Sequence, residues 1–399
     1  MTTYLIRRSL QMMIVLLFSA MVTYALLNLA PGGPLQGLRQ QAQSSTRQIT
    51  EEDIARIRAR FELDLSLPFR FSRWLAGWPS GPVVIGGQEL FSNLIVGCRK
   101  PVEEIVVDSR GRESLQVIGC NEYVTMKNLE GRRVSRGIIL GDFGLSWGIL
   151  RDRPISDLLW SRIPRTIQLI GISTLISLLI GVPIGVYSAV RQYSRFDYAA
   201  TTFAFIGSSM PTFFFGLILI LIFAITLKRA GWIYLPPGDA VGVRNYTMPL
   251  LGVIKAGSFI DQIFHMIMPT AVLVFFNVAG WSRFVRSSML EVLRQDYVRT
   301  ARAKGLLENA VIMKHAFRNA LIPFVTILVF ALPGSFGGAI ITETVFNWPG
   351  MGRLFFDSLG RSDYPVSMAI LMITAFLTVV ATLLGDVLYT IVDPRIRFS

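Results

Sequence analysis

Six apolar runs alternate with polar or charged segments along this chain of 399 residues and predict six membrane-spanning helices. Each run is long enough to cross about 30 Å of hydrocarbon as a helix. The predicted spans are residues 10–30, 167–190, 201–227, 264–284, 324–341 and 366–392. The first run follows Arg7 and Arg8, as the core of a signal peptide would, but it is longer than the roughly 7–15 residues of such a core. It is therefore predicted to be an uncleaved span.

Polar sequence with short alternating runs separates the first two predicted spans. Runs of this kind between turn residues are typical of short β-strands, and they lie at residues 83–85, 94–96, 104–107, 115–118 and 123–126. We expect a first span at residues 1–30 and an extracytoplasmic region at residues 31–166, with a small inserted β domain at about residues 77–140. A core of five spans should occupy residues 167–399. Two helices are also expected before the β domain, one capped by Thr50 and one from Pro68 to Trp78.

Composition supports a polytopic membrane protein. Charged residues make up 16% of the chain and hydrophobic residues 52%, whereas soluble globular domains carry about 25% charged residues. The net charge of +13 is compatible with nucleic-acid binding, but basic residues beside membrane spans also fix topology and meet anionic headgroups. The apolar runs therefore favour the membrane interpretation.

Basic residues in short loops set the predicted orientation. If six spans alternate, one side of the membrane receives the loop at residues 283–318 and the residues Arg7, Arg8, Arg191, Arg195, Arg395 and Arg397. That side is cytoplasmic by the positive-inside rule, from which a long first outer loop is largely exempt. We therefore expect a multi-pass protein of the cytoplasmic membrane with both termini in the cytoplasm.

A basic loop at residues 294–323 carries the strongest functional signal. Tyr297–Lys304 is rich in helix formers, and Gly305 stands at the C′ position, where positive φ costs glycine least. A second helix, Leu307–Ala320, should lead into the fifth span. By composition alone, the loop either contacts a soluble partner or only enforces topology.

The sequence of this loop resembles that of the cytoplasmic loop in ABC-importer permease subunits of the dipeptide/oligopeptide subgroup. The resemblance is carried by Arg299-Thr300-Ala301-Arg302-Ala303-Lys304-Gly305 and by Arg318-Asn319-Ala320-Leu321-Ile322-Pro323. Other matching segments are residues 141–146, 153–155, 207–213, 343–352 and 393–397, so it covers residues 1–76 and 141–399. The general family's Glu-Ala-Ala falls here on Arg299-Thr300-Ala301 and its closing Leu-Pro on Phe317-Arg318. Both departures match the peptide subgroup.

The resemblance implies an all-α polytopic fold with six transmembrane helices, the type I ABC importer permease fold, to which the inserted extracytoplasmic β domain is added. It implies import of di- or oligopeptides by alternating access, with a second homologous permease, two ATP-binding subunits and an extracytoplasmic substrate-binding protein. The residues implied to couple to the ATPase are Tyr297, Arg299, Ala301, Arg302, Ala303, Lys304 and Gly305. Of these, Ala301 and Ala303 are expected to be small enough for a partner to approach closely.

Two alternatives to this interpretation stay open. The same fold can import another cargo, since relatives of the subgroup carry oligosaccharides, nickel or glutathione. A channel or secondary transporter would work without ATP, but such proteins usually carry intramembrane charges or paired inverted repeats. Neither feature is evident in this sequence.

Neither catalysis nor a cofactor is expected of this chain. It has no Gly-x-x-x-x-Gly-Lys-Ser/Thr sequence for binding phosphates, which agrees with an ATPase on a separate chain. Two cysteines and two histidines leave little for a metal site or Cys-His catalysis. Asp386 is expected near the cytoplasmic interface, paired with a loop arginine. Polar residues expected to line a translocation path or, alternatively, to join helices by hydrogen bonds are Ser208, Ser209, Asn277 and Glu343.

The two cysteines of the chain, Cys98 and Cys120, are expected to form a disulfide. Both lie in the insert that the topology places outside the cytoplasm, where disulfides persist. If residues 103–107 and 112–117 form a hairpin about the turn Asp108–Gly111, the cysteines face each other at its open end. The alternative is a pair of buried free thiols.

The orientation can be checked by labelling single introduced cysteines with a membrane-impermeant maleimide. Labels at Ser194 and Lys304 should react only from the cytoplasmic side, and labels at Ser80 or Gly238 only from the outside. A cytoplasmic label at Ser80 would contradict the six-span topology and place the β domain on the wrong side.

Overall fold

The computed structural model describes residues 2–29, 51–107, 113–132 and 135–392. Within them, six helices are long and apolar enough to cross a membrane, which confirms the predicted number. They are Ile6–Asn28, Ile155–Val190, Thr212–Arg229, Phe259–Leu293, Glu308–Ala331 and Tyr364–Leu388. Most extend beyond the predicted limits, because the helices continue past the apolar runs into polar sequence.

The chain forms two compact units. The first unit comprises Met1–Leu16, Trp160–Phe356 and Ile373–Ser399, and the second comprises Leu17–Leu159 and Asp357–Met372. After helix α1 (Thr2–Leu29), the second unit continues with helices and strands whose bounds are α2 Glu51–Arg60, α3 Leu67–Ala76, β1 Val83–Ile85, β2 Gln88–Leu90, β3 Ile95–Val107 and β4 Glu113–Thr125. Two short 3₁₀ turns follow, Met126–Leu129 and Ile138–Leu140.

The predicted β content of the second unit is present, but as two antiparallel hairpins with longer strands than expected. β1 pairs with β2, a strand that the sequence analysis did not predict. Gly86 and Gly87 form the connecting turn with φ of 61° and 83°, the left-handed geometry that two-residue hairpin turns favour. β3 and β4, each of 13 residues, merge four of the predicted short strands into one hairpin.

The disulfide between Cys98 and Cys120 is present, with the two Cα atoms 6.0 Å apart. The predicted register is wrong, because Cys98 pairs across the hairpin with Tyr123 and Cys120 pairs with Pro101. Irregularities on both sides of Pro101 shift the ladder, as expected for a residue without a backbone N–H. The disulfide therefore joins diagonal neighbours. The predicted turn Asp108–Gly111 lies outside the described residues.

The open end of the long hairpin is fixed to the segment between α2 and α3. Asp64 is fully buried and accepts two hydrogen bonds from the Arg132 guanidinium, at 3.1 and 2.9 Å. Its backbone oxygen accepts from the Cys98 N–H at 2.6 Å. A Cβ at Gly97 would overlap that same backbone, so only glycine allows this close approach. A small apolar core of Leu65, Val96, Val124, Met126 and Leu129 lies beneath.

A second buried carboxylate, Asp363, organises the end of the second unit. It accepts hydrogen bonds from the Ser146 hydroxyl at 2.5 Å and from the backbone N–H groups of Trp147, Gly148 and Ile149 at 2.9–3.0 Å. Three N–H donors on one carboxylate hold the turn against the start of the last span. Nothing in the local sequence pattern predicts this pairing, since more than 200 residues separate the partners.

The first unit contains most of the membrane-spanning helices. Its helices are α4 Ile155–Val190, α5 Arg195–Ser209, α6 Thr212–Leu219, α7 Leu227–Arg229, α8 Phe259–Leu293, α9 Asp296–Ala303, α10 Glu308–Ala310, α11 Arg318–Gly338, α12 Ile340–Val345, α13 Met351–Gly360 and α14 Tyr364–Val392, of which α4, α13 and α14 extend into the second unit. Segments with π-helical hydrogen bonding, Ile220–Thr226 and Val311–Phe317, continue α6 into α7 and α10 into α11. A third small hairpin pairs β5 (Tyr246–Met248) with β6 (Gly252–Ile254).

The predicted third span, residues 201–227, is not one continuous helix. It is interrupted at Met210, whose backbone is extended with φ −84° and ψ 130°. Pro211 follows, and a proline disfavours helical geometry in the residue before it. The membrane-length helix therefore begins at Thr212, and α5 is a separate element.

The cytoplasmic end predicted for the first unit is held by an ion pair that the sequence prediction missed. Asp197 is 2% exposed and receives two hydrogen bonds from the Arg286 guanidinium, at 2.6 and 2.7 Å. The Ser188 hydroxyl and the Tyr193 N–H donate to the same carboxylate. The Arg286 hydrogen bonds hold the pKa of Asp197 well below its usual range. The pair joins α4, α5 and α8.

A further buried carboxylate, Glu343 on α12, binds the start of α13. It is 0% exposed and accepts hydrogen bonds from the Thr166 hydroxyl at 3.0 Å and the Arg353 N–H at 2.9 Å. The Thr166 oxygen in turn accepts from the Met351 N–H at 2.7 Å. Burial raises the pKa of Glu343 above its ordinary value. The carboxylate thus supplies the acceptors that the first turn of α13 lacks.

Two of the labelling positions named above are affected by these contacts. A Cβ at Gly238 would come 2.5 Å from the Phe346 carbonyl oxygen, so a cysteine there would disturb the fold. Val243 is 89% exposed in the same loop and is the better outer position. Ser194 caps α5 through its side chain, which leaves the exposed Lys304 as the better cytoplasmic position.

We expect Gly350→Ala to destabilise the first unit. The added Cβ would overlap the Glu343 carboxylate, and moving that buried group away would break its hydrogen bonds to Thr166 and Arg353. The cost should be about 2–4 kcal/mol, measured as a lower unfolding midpoint of the purified protein. Gly360→Ala is the matched control, because nothing lies within 4 Å of a Cβ there. Equal midpoints for both variants would contradict the assigned role of Glu343.

Candidate functional site

The basic loop folds as predicted around Gly305. Its first helix, α9, runs from Asp296 to Ala303, one residue ahead of the predicted limits. Lys304 ends it, and Gly305 follows with φ +73° while its N–H donates to the Arg302 carbonyl at 2.9 Å. No atom lies within 4 Å of the place where a Cβ would stand. The requirement for glycine is therefore conformational rather than steric.

One face of α9 packs against the rest of the chain. Val298 is 0% exposed and Ala301 is 6% exposed, and both contact Val311 in a small apolar cluster. The expectation that Ala301 offers its small side chain to a partner is therefore corrected, because the methyl group fills an internal contact. Ala303, on the other side of the helix, is exposed as expected.

The outward surface of the loop is both basic and apolar. Tyr297 is 44% exposed, and the Arg299 side chain is 70% exposed. Arg302 is partly engaged within the loop, since its guanidinium lies 2.7 Å from Glu308. The sequence prediction missed Leu307, which is 82% exposed. The available signal was the pair of apolar residues Leu306 and Leu307 that follows the helix-ending glycine of a charged loop.

The loop is continuous with the following membrane helix. From Glu308 the chain stays helical through the π-helical segment Val311–Phe317 into α11. Insertions of this kind inside α-helices occur frequently at functional sites. Ile312, Ala316, Ala320 and Phe324 of this continuous helix pack in one buried cluster with residues of α8, among them Trp281, Val285 and Met289. A displacement of α9 would therefore act on α8 and α11 together.

A cavity of about 600 Å³ lies among the membrane helices of the first unit. Its size falls within the range typical of small-molecule sites. Aromatic residues form part of the wall, and its polar lining residues are Ser173, Thr174, Thr212, Asn277 and Thr326. The Ser173 hydroxyl donates to the Leu169 carbonyl at 2.6 Å. The Asn277 amide, in contrast, makes no hydrogen bond to any described residue, so it remains available to a solute.

The structure separates the four residues predicted to line a path. Asn277 lies in the cavity wall. Ser208 and Ser209 are exposed and are not among the lining residues, and the Ser208 hydroxyl donates to the Phe205 carbonyl at 3.1 Å. Glu343 is enclosed by its own hydrogen-bond partners. Asp386 lies 3.1 Å from Arg8, so it pairs with an arginine as expected, but this arginine belongs to α1 and not to a loop.

Metal binding finds no support in the described part of the chain. No group of three or more His, Cys, Asp or Glu residues there is arranged to hold a metal ion. His265 is buried, with Nδ1 2.6 Å from the Gly238 carbonyl and Nε2 3.1 Å from Asp261. These contacts fix the segment before α8. The cavity and the loop are therefore the two candidate functional features of the first unit.

Comparison with known proteins identifies relatives over most of the chain. The permease from Bacillus subtilis (strain 168) named oligopeptide transport system permease protein AppB is 45% identical over 261 residues, covering 65% of this chain and 78% of the relative. The dipeptide transport system permease protein DppB of Escherichia coli (strain K12) is 39% identical over 273 residues, with the same coverage. The di/tripeptide transport system permease protein DppB of Pseudomonas aeruginosa (strain UCBPP-PA14) is 39% identical over 242 residues, covering 59% of this chain and 70% of the relative.

Solved structures and family models complete the comparison. An inward-facing structure of the MetNI methionine ABC transporter matches with a TM-score of 0.43 and 17% identity, covering 59% of this chain and 96% of that one. The model of the N-terminal component of binding-protein-dependent transport systems matches residues 1–92. The model of the inner membrane component of these systems matches residues 181–398, more than half of the chain. This chain therefore belongs to the family of inner membrane components of binding-protein-dependent transport systems.

Proposed function

We propose that this chain is one transmembrane subunit of an ATP-driven ABC importer that carries di- and oligopeptides across the cytoplasmic membrane, with both termini in the cytoplasm. The observation that carries the proposal is the loop at residues 294–323, an exposed basic helix continuous with a membrane span. The names of the relatives support a peptide cargo, since three similar proteins are permeases for oligopeptides, dipeptides or di- and tripeptides.

The exposed face of α9 is proposed to dock on a separate ATP-binding subunit. Tyr297, Arg299 and Lys304 supply aromatic and cationic contacts, and Leu307 supplies an apolar one. Exposed apolar residues next to cations suit a protein partner, because interfaces are enriched in aromatic residues and Arg. Movement of the ATPase would reach α8 and α11 through the continuous helix. No covalent chemistry is assigned to this chain, and it holds no cofactor in this proposal.

The cavity beside Asn277 is proposed to be this subunit's share of the translocation path. A second, homologous permease completes the path, two ATP-binding subunits drive it, and an extracytoplasmic binding protein delivers the peptide. The lining is mostly apolar with a few hydroxyl and amide groups. Such a surface offers hydrogen bonds to peptide groups without selecting one side chain, as a carrier of varied peptides requires.

Two other functions remain as alternatives. The same fold with another cargo would keep the loop and the cavity but import an oligosaccharide, nickel or glutathione. An ATP-independent channel or secondary transporter would not need an exposed helix continuous with a span. Uptake measured with and without ATP in vesicles distinguishes this second class, and competition between labelled peptides and other solutes distinguishes the first.

Gly305→Leu should uncouple the ATPase from transport. A Cβ in left-handed geometry costs roughly 1–2 kcal/mol, and the chain avoids this cost by changing the end of α9. We expect peptide uptake and substrate-stimulated ATP hydrolysis to fall together, by about five- to thirty-fold. Insertion into the membrane should be unchanged, because the substitution lies outside the spans.

Two variants serve as controls for this substitution. Gly231→Leu imposes the same strain on a glycine with φ +71° and open space, but in another loop, and it should leave uptake intact. Gly305→Asn should retain most of the activity, because asparagine tolerates left-handed geometry. Wild-type uptake by Gly305→Leu would contradict the docking assignment.

Bulk at Asn277 should block the proposed path. Asn277→Phe places a ring in the cavity wall, and we expect at least a tenfold loss of uptake while the basal ATPase rate of the assembled complex persists. Ser209→Phe is the comparison, because Ser209 is exposed and lies outside the cavity lining. The opposite pattern, with uptake lost only in Ser209→Phe, would place the path elsewhere.

A further inference from the structure

The second unit contains a cavity of its own, with a volume of about 300 Å³. Its walls combine aromatic and charged side chains. The aromatic ones include Tyr24, Phe61, Trp74, Phe143 and Trp147, and the charged ones are Arg60, Glu62, Arg70, Arg73 and Asp142. Neither the proposed coupling loop nor the proposed translocation path uses this cavity.

Two of the lining residues stand on the same face of one helix. Arg70 and Trp74 are four residues apart in α3, so their side chains are neighbours on the helix surface. Tyr24 of α1 closes the site beside them, with its ring centroid 5.1 Å from that of Trp74 and 5.4 Å from that of Phe71. The aromatic packing fixes the indole, and its N–H therefore has a defined direction.

The other charged groups of the wall are already engaged. The Arg73 guanidinium lies 2.7 Å from Glu62 and also donates to the Pro79 carbonyl. Arg60 pairs with Asp152. The Asp142 carboxylate accepts the backbone N–H groups of Arg136 and Gly144, at 2.8 and 2.9 Å. Among the lining arginines, Arg70 alone has no carboxylate partner in the described part of the chain.

Two donors of the same helix face lack acceptors. The Trp74 Nε1–H and the Arg70 Nε–H are both buried, and no described residue accepts a hydrogen bond from either. Buried polar groups are normally paired, and each exception requires an explanation. An unpaired guanidinium beside an unpaired indole N–H is a donor set for a small planar anion, because Arg presents parallel N–H bonds that match a carboxylate.

We propose that this cavity binds the carboxylate of a small molecule that also carries an apolar group. The carboxylate accepts hydrogen bonds from Arg70 and from the Trp74 indole N–H, and the aromatic wall packs against the apolar group. A single unpaired cation favours a monoanion, and the volume has room for a carboxylate with one side chain rather than for a lipid. The identity of the ligand as the free C-terminus of a short peptide rests on the proposed function, whereas the carboxylate site itself does not.

The test uses the full chain in lipid nanodiscs, labelled with 5-fluorotryptophan. The Trp74 resonance in the ¹⁹F spectrum is the one that disappears in Trp74→Phe. N-acetylleucine and leucylleucine should shift that resonance saturably, and leucylleucine amide should not, because it lacks the carboxylate. Equal shifts with acid and amide, no shift with either acid, or an equally strong shift with inorganic phosphate would each overturn the proposal.

Substitutions of Arg70 locate the site. Arg70→Gln should weaken binding of N-acetylleucine at least tenfold. Arg70→Lys should weaken it less, because lysine keeps the positive charge but lacks the parallel N–H bonds of arginine. Arg136→Gln is the matched control, since Arg136 is exposed in the same unit and outside the cavity lining, and it should bind like the unmodified chain. Unchanged binding by both Arg70 variants would overturn the proposal, and the amide comparison decides if Arg70→Gln does not fold.

Failure of the site and failure of the proposed function give different results. If the assembled importer does not take up leucylleucine but the Trp74 resonance still shifts with N-acetylleucine, the peptide function fails and the carboxylate site stands. If leucylleucine is taken up but neither acid shifts the resonance, the site fails and the transport function stands.

Discussion

Buried carboxylates must be neutralised or fully hydrogen-bonded, and in this chain that requirement determines how segments far apart in sequence are joined. Asp197 accepts hydrogen bonds from Nε and one terminal nitrogen of the Arg286 guanidinium and so joins α5 to α8. Glu343 caps the start of α13, and Asp363 holds three successive backbone N–H groups beside the last span. Removing Arg286 would leave the Asp197 charge buried and unpaired, which is far costlier than losing an exposed ion pair. These carboxylates therefore hold together the helices and turns to which they are hydrogen-bonded.

The basic loop is connected to one of these carboxylates, Asp197, through packed helices. α9 buries Val298 and Ala301 on one side and exposes Tyr297 and Arg299 on the other. The chain then continues as one helix into α11, which packs against α8 in a shared apolar cluster. Because α8 also carries Arg286, packed side chains connect α9 to the Asp197–Arg286 pair. In the proposed function, this packing is the route by which movement of an ATPase bound at α9 reaches the membrane helices.

The inserted part of the second unit contains a long two-stranded hairpin that needs additional stabilisation. A two-stranded hairpin is marginally stable alone in water, and β3–β4 extends over 13 residues on each side. The disulfide between Cys98 and Cys120 and the buried Asp64–Arg132 pair together hold its base. Gly97 permits the close contact with the Asp64 backbone on which that base depends. The base of the hairpin is thus held by a disulfide, an ion pair and a close backbone contact.

Apolar runs by themselves determined the number of membrane spans, because a helix that crosses hydrocarbon must satisfy its backbone hydrogen bonds internally and present apolar side chains. Local chemistry also determined the end of α9 at Gly305 and the presence of a hairpin and a disulfide in the insert. Local effects of proline divide the third run at Pro211 and shift the hairpin register at Pro101. Only the tertiary structure decided that Ala301 points inward while Leu307 points outward. It alone placed Asn277 in a cavity and left Ser208 and Ser209 outside it. Those outcomes depend on contacts between residues far apart in the chain, and no local pattern of polar and apolar positions encodes which distant residue will be the partner.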